Sequence, residues 1–417
     1  MIFFKNRSST LSIKDRNNRY FVWEGAIGAI VISLVTPFII MFGKRMGAGD
    51  YEIGLLSSLP ALVGILALLP GSILVDRRSD KKKIVALLAL IAGFIYPLAA
   101  VTPYLGASRV MIYMLVIALL NWPLSVYNIS WQSFFSDVCA PEMRNATFTN
   151  RSKAATLLGT ITMLLAGIIL AYIPRSDEQR ILIYQLFFLI AFILTLLQIW
   201  YLMKIRDYPV VLVEKKRISL SMFMGLLKPL WANKPFRQFV IVVFLFYTTW
   251  QMAWPLFFIY QVNYLHANEA WLSYFTVANG VVGVFMFSFW GRMIEKKGAR
   301  WVAIIGAFFL AINPIAQVLC QNLYQTLAIN IIMGLTFVSF NLALFQSLLE
   351  VLPSENKTFY IALYTTMISI SGFIMPLVGV WIYRRTDIYF VMGLDTVLRL
   401  MGTGLFLMRY LQERKQS

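Results

Sequence analysis

Charge and metal-binding side chains are what this 417-residue sequence has least of. Charged residues make up 13% of it, about half of the ~25% found in soluble domains. That excludes a large water-soluble protein. One histidine, His266, and two cysteines, Cys139 and Cys320, leave no ligand set for a soft metal. The two cysteines are expected on opposite sides of a membrane, so no disulfide joins them. An ATP-driven pump would need GxxxxGK[ST], which is absent. A membrane enzyme would need a nucleophile, a metal cluster or paired acids on one helix face, and none is visible. The expectation is a non-enzyme with no metal and no cofactor.

Apolar sequence is abundant instead. Hydrophobic residues reach 59% and the mean hydropathy is +0.71. Twelve runs are long enough to cross a bilayer: 21–43, 51–74, 84–104, 109–135, 154–173, 181–203, 237–262, 271–291, 301–321, 324–350, 359–383 and 387–410. Each must be helical, because lipid offers the backbone no other hydrogen-bond partner. The polar, basic opening "MIFFKNRSSTLSIKDRNNR" has no apolar core before a cleavage site, so the first run is expected to stay as span 1.

The net charge of +18 is a topology signal, not a nucleic-acid footprint. An even number of spans puts both termini on one side. That side carries 29 Lys and Arg and the other carries 7, so both termini are expected to be cytoplasmic. The bases also match anionic lipid headgroups.

The chain repeats itself at an offset of 219 residues. Asp76 falls on Glu295, Arg77 on Lys296, Arg78 on Lys297, Ser79 on Gly298 and Lys81 on Arg300. Gly64 meets Gly283 and Asp50 meets Glu269. Pro37 and Pro255 stand at matching places in spans 1 and 7. "QSFFSDVCAP" closes span 4 and "QSLLEVLP" closes span 10. The resulting organisation is a tail (1–20), a six-helix bundle (21–203), a basic linker (204–236), a second bundle (237–410) and a short tail (411–417). Within the linker, "SLSMFMGLLKPLW" has the length of a helix lying on the membrane surface. Repeated halves place a solute site between them at mid-membrane.

"SILVDRRSDKK" and, more closely, "GRMIEKKGAR" resemble the loop motif of the major facilitator superfamily. The first copy departs from it, with Ser79 and Asp80 in place of the usual Gly and base. The resemblance implies an all-α fold of twelve membrane helices in two pseudo-symmetric bundles. It also implies that Asp76 and Glu295 act as latches at helix N-termini, a placement worth about 0.3–2 kcal/mol. Arg77, Lys296 and Gly298 join them in the gate, while most other loop bases serve as headgroup anchors.

Three charges are expected inside the spans: Glu24, Asp395 and Arg399. Each costs at least about 2.5–3.5 kcal/mol at the bilayer centre. Asp395 and Arg399, four apart on span 12, read as a structural pair. Glu24, in "WEGAIG", has two readings. Partly removed from water it holds a proton more readily and is a candidate carrier. Alternatively it sits at headgroup depth, paired with Arg19 or another base. The cavity candidates are Asn121, Asn128 and Gln132 on span 4, Trp250, Gln251 and Trp254 on span 7, Asn279 on span 8, and Asn341 and Gln346 on span 10. Together they describe an uncharged, aromatic-rich cavity.

The functional expectation is a monomeric secondary transporter of the plasma membrane, in a bacterial inner membrane, exporting an amphipathic small molecule by alternating access, driven by a proton gradient. Proton-coupled uptake of a nutrient, and a non-transporting or lipid-moving relative, remain as alternatives.

Overall fold

The computed structural model describes residues 13–76, 80–139, 141–206, 233–352 and 357–414, and every apolar run in it is helical. Among the described residues twelve helices have the length and hydropathy to cross a membrane. In the first half they are α1 (Ile13–Val35, a 3-10 turn at Thr36–Phe38, then Ile39–Arg45), α2 (Asp50–Asp76), α3 (Lys81–Val101), α4 (Arg109–Val138), α5 (Pro141–Tyr172) and α6 (Asp177–Lys204). In the second half they are α7 (Lys234–Met252, Trp254–Ile259 and a π turn at Tyr260–Tyr264), α8 (Glu269–Lys297) and α9 (Ala299–Val318). The last three are α10 (Leu323–Val351), α11 (Lys357–Tyr383) and α12 (Ile388–Arg414).

Most of these helices outrun the apolar sequence that announces them. A helix rises 1.5 Å per residue and the hydrocarbon core is about 30 Å thick. The 32 residues of α5 therefore span roughly 48 Å and must protrude from the bilayer. The surplus is polar: "PEMRNATFTNRSK" forms the opening turns of α5, so the helix starts at Pro141 and not at residue 154. In the same way α1 begins at Ile13 instead of residue 21. The surface helix expected within 219–231 lies outside the described residues.

The two matched prolines interrupt their helices at matched places. Pro37 sits in the 3-10 turn of α1, and Pro255 follows the break in α7 at Ala253. Each lacks the N–H that would continue the ladder. Asp80, Ser176, Asn233, Asn268 and Asn322 cap the starts of α3, α6, α7, α8 and α10 through side-chain oxygens. Lys83 beside Asp80 also holds that carboxyl below its ordinary range.

Packing repeats with the sequence. In the first half α1 lies against α5 and α6, α4 against α2 and α3, and α3 against α6. In the second half α7 lies against α11 and α12, α10 against α8 and α9, and α9 against α12. These are the same contacts with every helix number raised by six. The halves meet through α2 on α11 and α5 on α8, a pair of contacts that the same renumbering exchanges. Each half has its own apolar core, around Phe42, Tyr113 and Phe188 in the first and Phe239, Phe246 and Phe340 in the second.

Candidate functional site

Both described chain ends, Ile13 and Arg414, lie on one face, here called the terminal face. At the opposite, far face the halves close on each other. Glu269, the first residue of α8, is fully buried and receives Arg45 of α1 as a fork, Nε to Oε1 at 3.0 Å and Nη2 to Oε2 at 3.2 Å. Tyr184 of α6 donates to the same carboxylate at 3.1 Å. At the corresponding place in the other half, Asp50 opens α2 and accepts from Asn263 of α7 at 3.2 Å. Apolar plugs surround both contacts, with Met41, Leu272 and Phe275 on one side and Ile53, Leu256 and Val380 on the other. Sequence reasoning matched Asp50 with Glu269 but gave neither a role. Their equivalence across the repeat was the available signal.

A cavity of about 330 Å³ lies directly beneath this closure, between Pro37 of the first half and Phe258, Gln261, Leu272, Phe275, Thr276, Asn279 and Asn330 of the second. Leu272 and Phe275 belong to the plug and to the cavity wall. Thr276, Gln261 and the two asparagines are its polar groups, and Asn279 Nδ2 donates to the Asn330 carbonyl at 3.3 Å. No charged side chain lines it.

Of the nine sequence candidates for the cavity, Asn279 alone lines this one. Asn121 and Asn341 donate back to carbonyls of their own helices, Ile117 and Phe337. Trp250 is buried in the second-half core and Trp254 is exposed beside it, with rings 6.0 Å apart. Gln251 is buried where α7 meets α11, its amide near Gly372 and its Oε1 without a partner. Asn128, Gln132 and Gln346 are exposed. The set is therefore not gathered around this one cavity. Equal spacing along one helix put Asn128 and Gln132 on one face but could not say which face meets the other half.

Glu24 is fully buried, eleven residues or about 16 Å from the start of α1. Four donors converge on it: Tyr127 Oη at 2.7 Å and Gln198 Nε2 at 2.9 Å on Oε1, Arg151 Nε at 3.1 Å and Trp131 Nε1 at 3.2 Å on Oε2. The Arg151 guanidinium also stacks on Trp131, 3.9 Å from the ring centroid. Its charged partner is Arg151, the other base that the second reading allowed, and not Arg19. Glycines in "WEGAIG" make the approach possible. A Cβ at Gly28 would stand 2.8 Å from Gln198 Nε2, and one at Gly25 would overlap Arg151. Arg151 was counted with the loop bases, but it lies inside the polar opening turns of helix α5.

Asp395 and Arg399 are fully buried and paired at 2.7 Å. Arg399 donates further to the Leu310 carbonyl of α9 at 2.9 Å and the Trp250 carbonyl of α7 at 3.0 Å. Leu310 lies four residues before Pro314, so its carbonyl has no helical N–H to accept. Trp250 lies in the last turn before the break in α7. The guanidinium thus satisfies acceptors that interrupted helices leave open.

At the terminal face Asp76 closes α2, and its side chain, like Arg77, lies outside the described residues. Glu295 and Lys296 are exposed at the end of α8. Gly298 has φ 86° and ψ 152°, a conformation essentially restricted to glycine, and lets α9 start at the next residue. The repeat does produce a matched ion pair here. Lys81 of α3 binds Asp137 of α4, and Arg300 of α9 approaches Glu350 of α10 at 3.8 Å.

The geometry is that of two equivalent bundles that meet through α2 on α11 and α5 on α8, and comparison with known proteins agrees. A bacterial homologue of the human lysosomal transporter Spinster, solved inward-facing and unoccupied, superposes with a TM-score of 0.69 at 12% identity, covering 96% of this chain and 97% of that one. A bacterial homologue of the iron transporter ferroportin gives 0.69 at 13% identity, over 96% and 99%. The nucleoside transporter NupG gives 0.65 at 14%, over 96% and 99%. Among curated proteins none matches the sequence. The sequence profile of the Major Facilitator Superfamily matches residues 25–286 and 239–417. The chain belongs to the major facilitator superfamily, a family of transporters and not of enzymes.

Proposed function

We propose that this protein is a proton-coupled secondary transporter that exports a small amphipathic compound across the plasma membrane. One observation carries the reading: the cavity between the halves, walled by Phe258, Phe275 and four uncharged polar residues, and closed at the far face. Aromatic walls bind apolar surface, and a few amides orient the polar end of a solute. A phosphorylated solute suits it poorly, because no base lines it.

Glu24 is the proposed proton carrier. It lies thirteen residues before Pro37, about 20 Å along α1, so proton and solute do not compete for one group. Coupling runs through α1 itself, one end held by Glu24 to α4, α5 and α6, the other forming the cavity wall and carrying Arg45. Protonating Glu24 removes the negative partner of Arg151 and loosens that end. The proposed unit is a monomer, with both termini cytoplasmic.

The test is accumulation of fluorescent cationic and neutral amphiphiles in cells, with and without a protonophore. Wild type is compared with Glu24→Gln and Asn279→Ala at matched expression. Lower, protonophore-sensitive accumulation in wild type alone supports export. Higher accumulation in wild type marks uptake instead, and no difference for any compound removes amphiphiles as substrates.

A further inference from the structure

A cluster of bases lies away from the cavity. A pocket of about 350 Å³ opens at the terminal face between the start of α1, the start of α3 and the end of α6. Arg16, Lys82, Lys204 and Arg206 line it, with Tyr20 and Asn17 between them. No carboxylate pairs with any of these four bases among the described residues. The walls are fixed all the same. Asn17 is buried, donating to the Arg206 carbonyl at 2.7 Å and accepting from its N–H at 3.0 Å. Lys82 Nζ donates to the Ile205 carbonyl at 3.0 Å, which leaves two ammonium protons free. Lys204 packs its ammonium over Trp200.

We propose that this pocket binds the phosphate headgroup of an anionic phospholipid. Four like charges around one space repel, and an anion there relieves them all. Its depth identifies the source. Trp23 stacks on Tyr201 and both Trp23 and Trp200 are exposed, an aromatic belt at the level of lipid headgroups. Below the belt Ile193 and Leu197 of α6 are exposed, an apolar path for acyl chains beneath the pocket. A free anion needs the four bases but not the belt or that path. The site ties α1, α3 and α6 together, so occupancy stabilises the first half as a unit.

The test uses the full chain purified in a neutral detergent, with native mass spectrometry after titration of phosphatidylglycerol or phosphatidylcholine. The variant Arg16→Gln/Lys82→Gln/Arg206→Gln is compared with Lys153→Gln/Arg292→Gln/Lys297→Gln, which removes equal charge from the same face. Wild type and the second variant should prefer phosphatidylglycerol. The first variant should lose about fivefold in affinity per charge, on the order of a hundredfold together. Equal loss in both variants would reduce the effect to general charge and overturn the site. Competition by millimolar inorganic phosphate as effective as lipid would make it a free-anion site and overturn the lipid assignment. If the triple variant does not fold, Lys82→Gln alone must weaken binding and Lys82→Arg must restore it; failure of either counts against the proposal.

Discussion

Glu24 illustrates how much a single buried carboxylate demands of its surroundings. Ionised and out of water it would be prohibitively costly, yet four donors from α4, α5 and α6 supply every hydrogen bond it can use well. Removing one member of such a pair leaves the other buried and uncompensated. Glu24→Gln or Arg151→Gln should each cost about 3 kcal/mol of stability, and the double variant should cost less than their sum. Thermal unfolding in detergent measures this, and strict additivity would show that the two do not act as a pair. Glu24 itself was legible, because a charge inside an apolar run needs an explanation. Arg151 was not. It stands 127 residues away in a polar stretch that reads as loop, and nothing in its own neighbourhood points to Glu24. The glycines at 25 and 28 were the nearest thing to a clue, since they mark where another helix comes close.

At the scale of helices, prolines and buried charge form one system. Pro314 opens the Leu310 carbonyl, the break at Ala253 leaves the Trp250 carbonyl in the final turn, and Arg399 of α12 answers both. Arg399 therefore joins three helices while Asp395 only neutralises it. Arg399→Met should cost about 3–5 kcal/mol by stranding a buried carboxylate and two carbonyls. Asp395→Asn should cost less than half as much, because the guanidinium keeps its carbonyls. Tryptophan-monitored melting decides, and the reverse order would contradict this division of labour. The four-residue spacing of Asp395 and Arg399 was readable as a pair on one face. Which carbonyls they meet depends on which helices pack beside α12, and hydropathy does not encode that. The same blindness moved the starts of α1 and α5: polar turns that project past the bilayer carry no hydropathy signal, although their backbone ladder simply continues.

For the whole molecule, twelve spans and two halves were legible because the bilayer imposes length and the repeat imposes equivalence. The contacts of one half reappear in the other with helix numbers raised by six, as the 219-residue offset implies. The closure of the halves was not legible, because it depends on relative position and not on sequence spacing. That closure is the central claim: Arg45 and Glu269 shut the far face over the cavity that holds Asn279. One measurement tests it most directly. In a chain with Cys139 and Cys320 replaced by serine, a cysteine is placed at Asn279, and its reaction with a membrane-impermeant thiol reagent is followed from each face. The closed far face predicts reaction from the terminal side alone, and a large gain from the far side in Glu269→Gln, where Arg45 keeps only Asp177 of its own half and loses its charged partner across the halves. Equal labelling from the far side with and without Glu269 would show that this pair does not hold the gate.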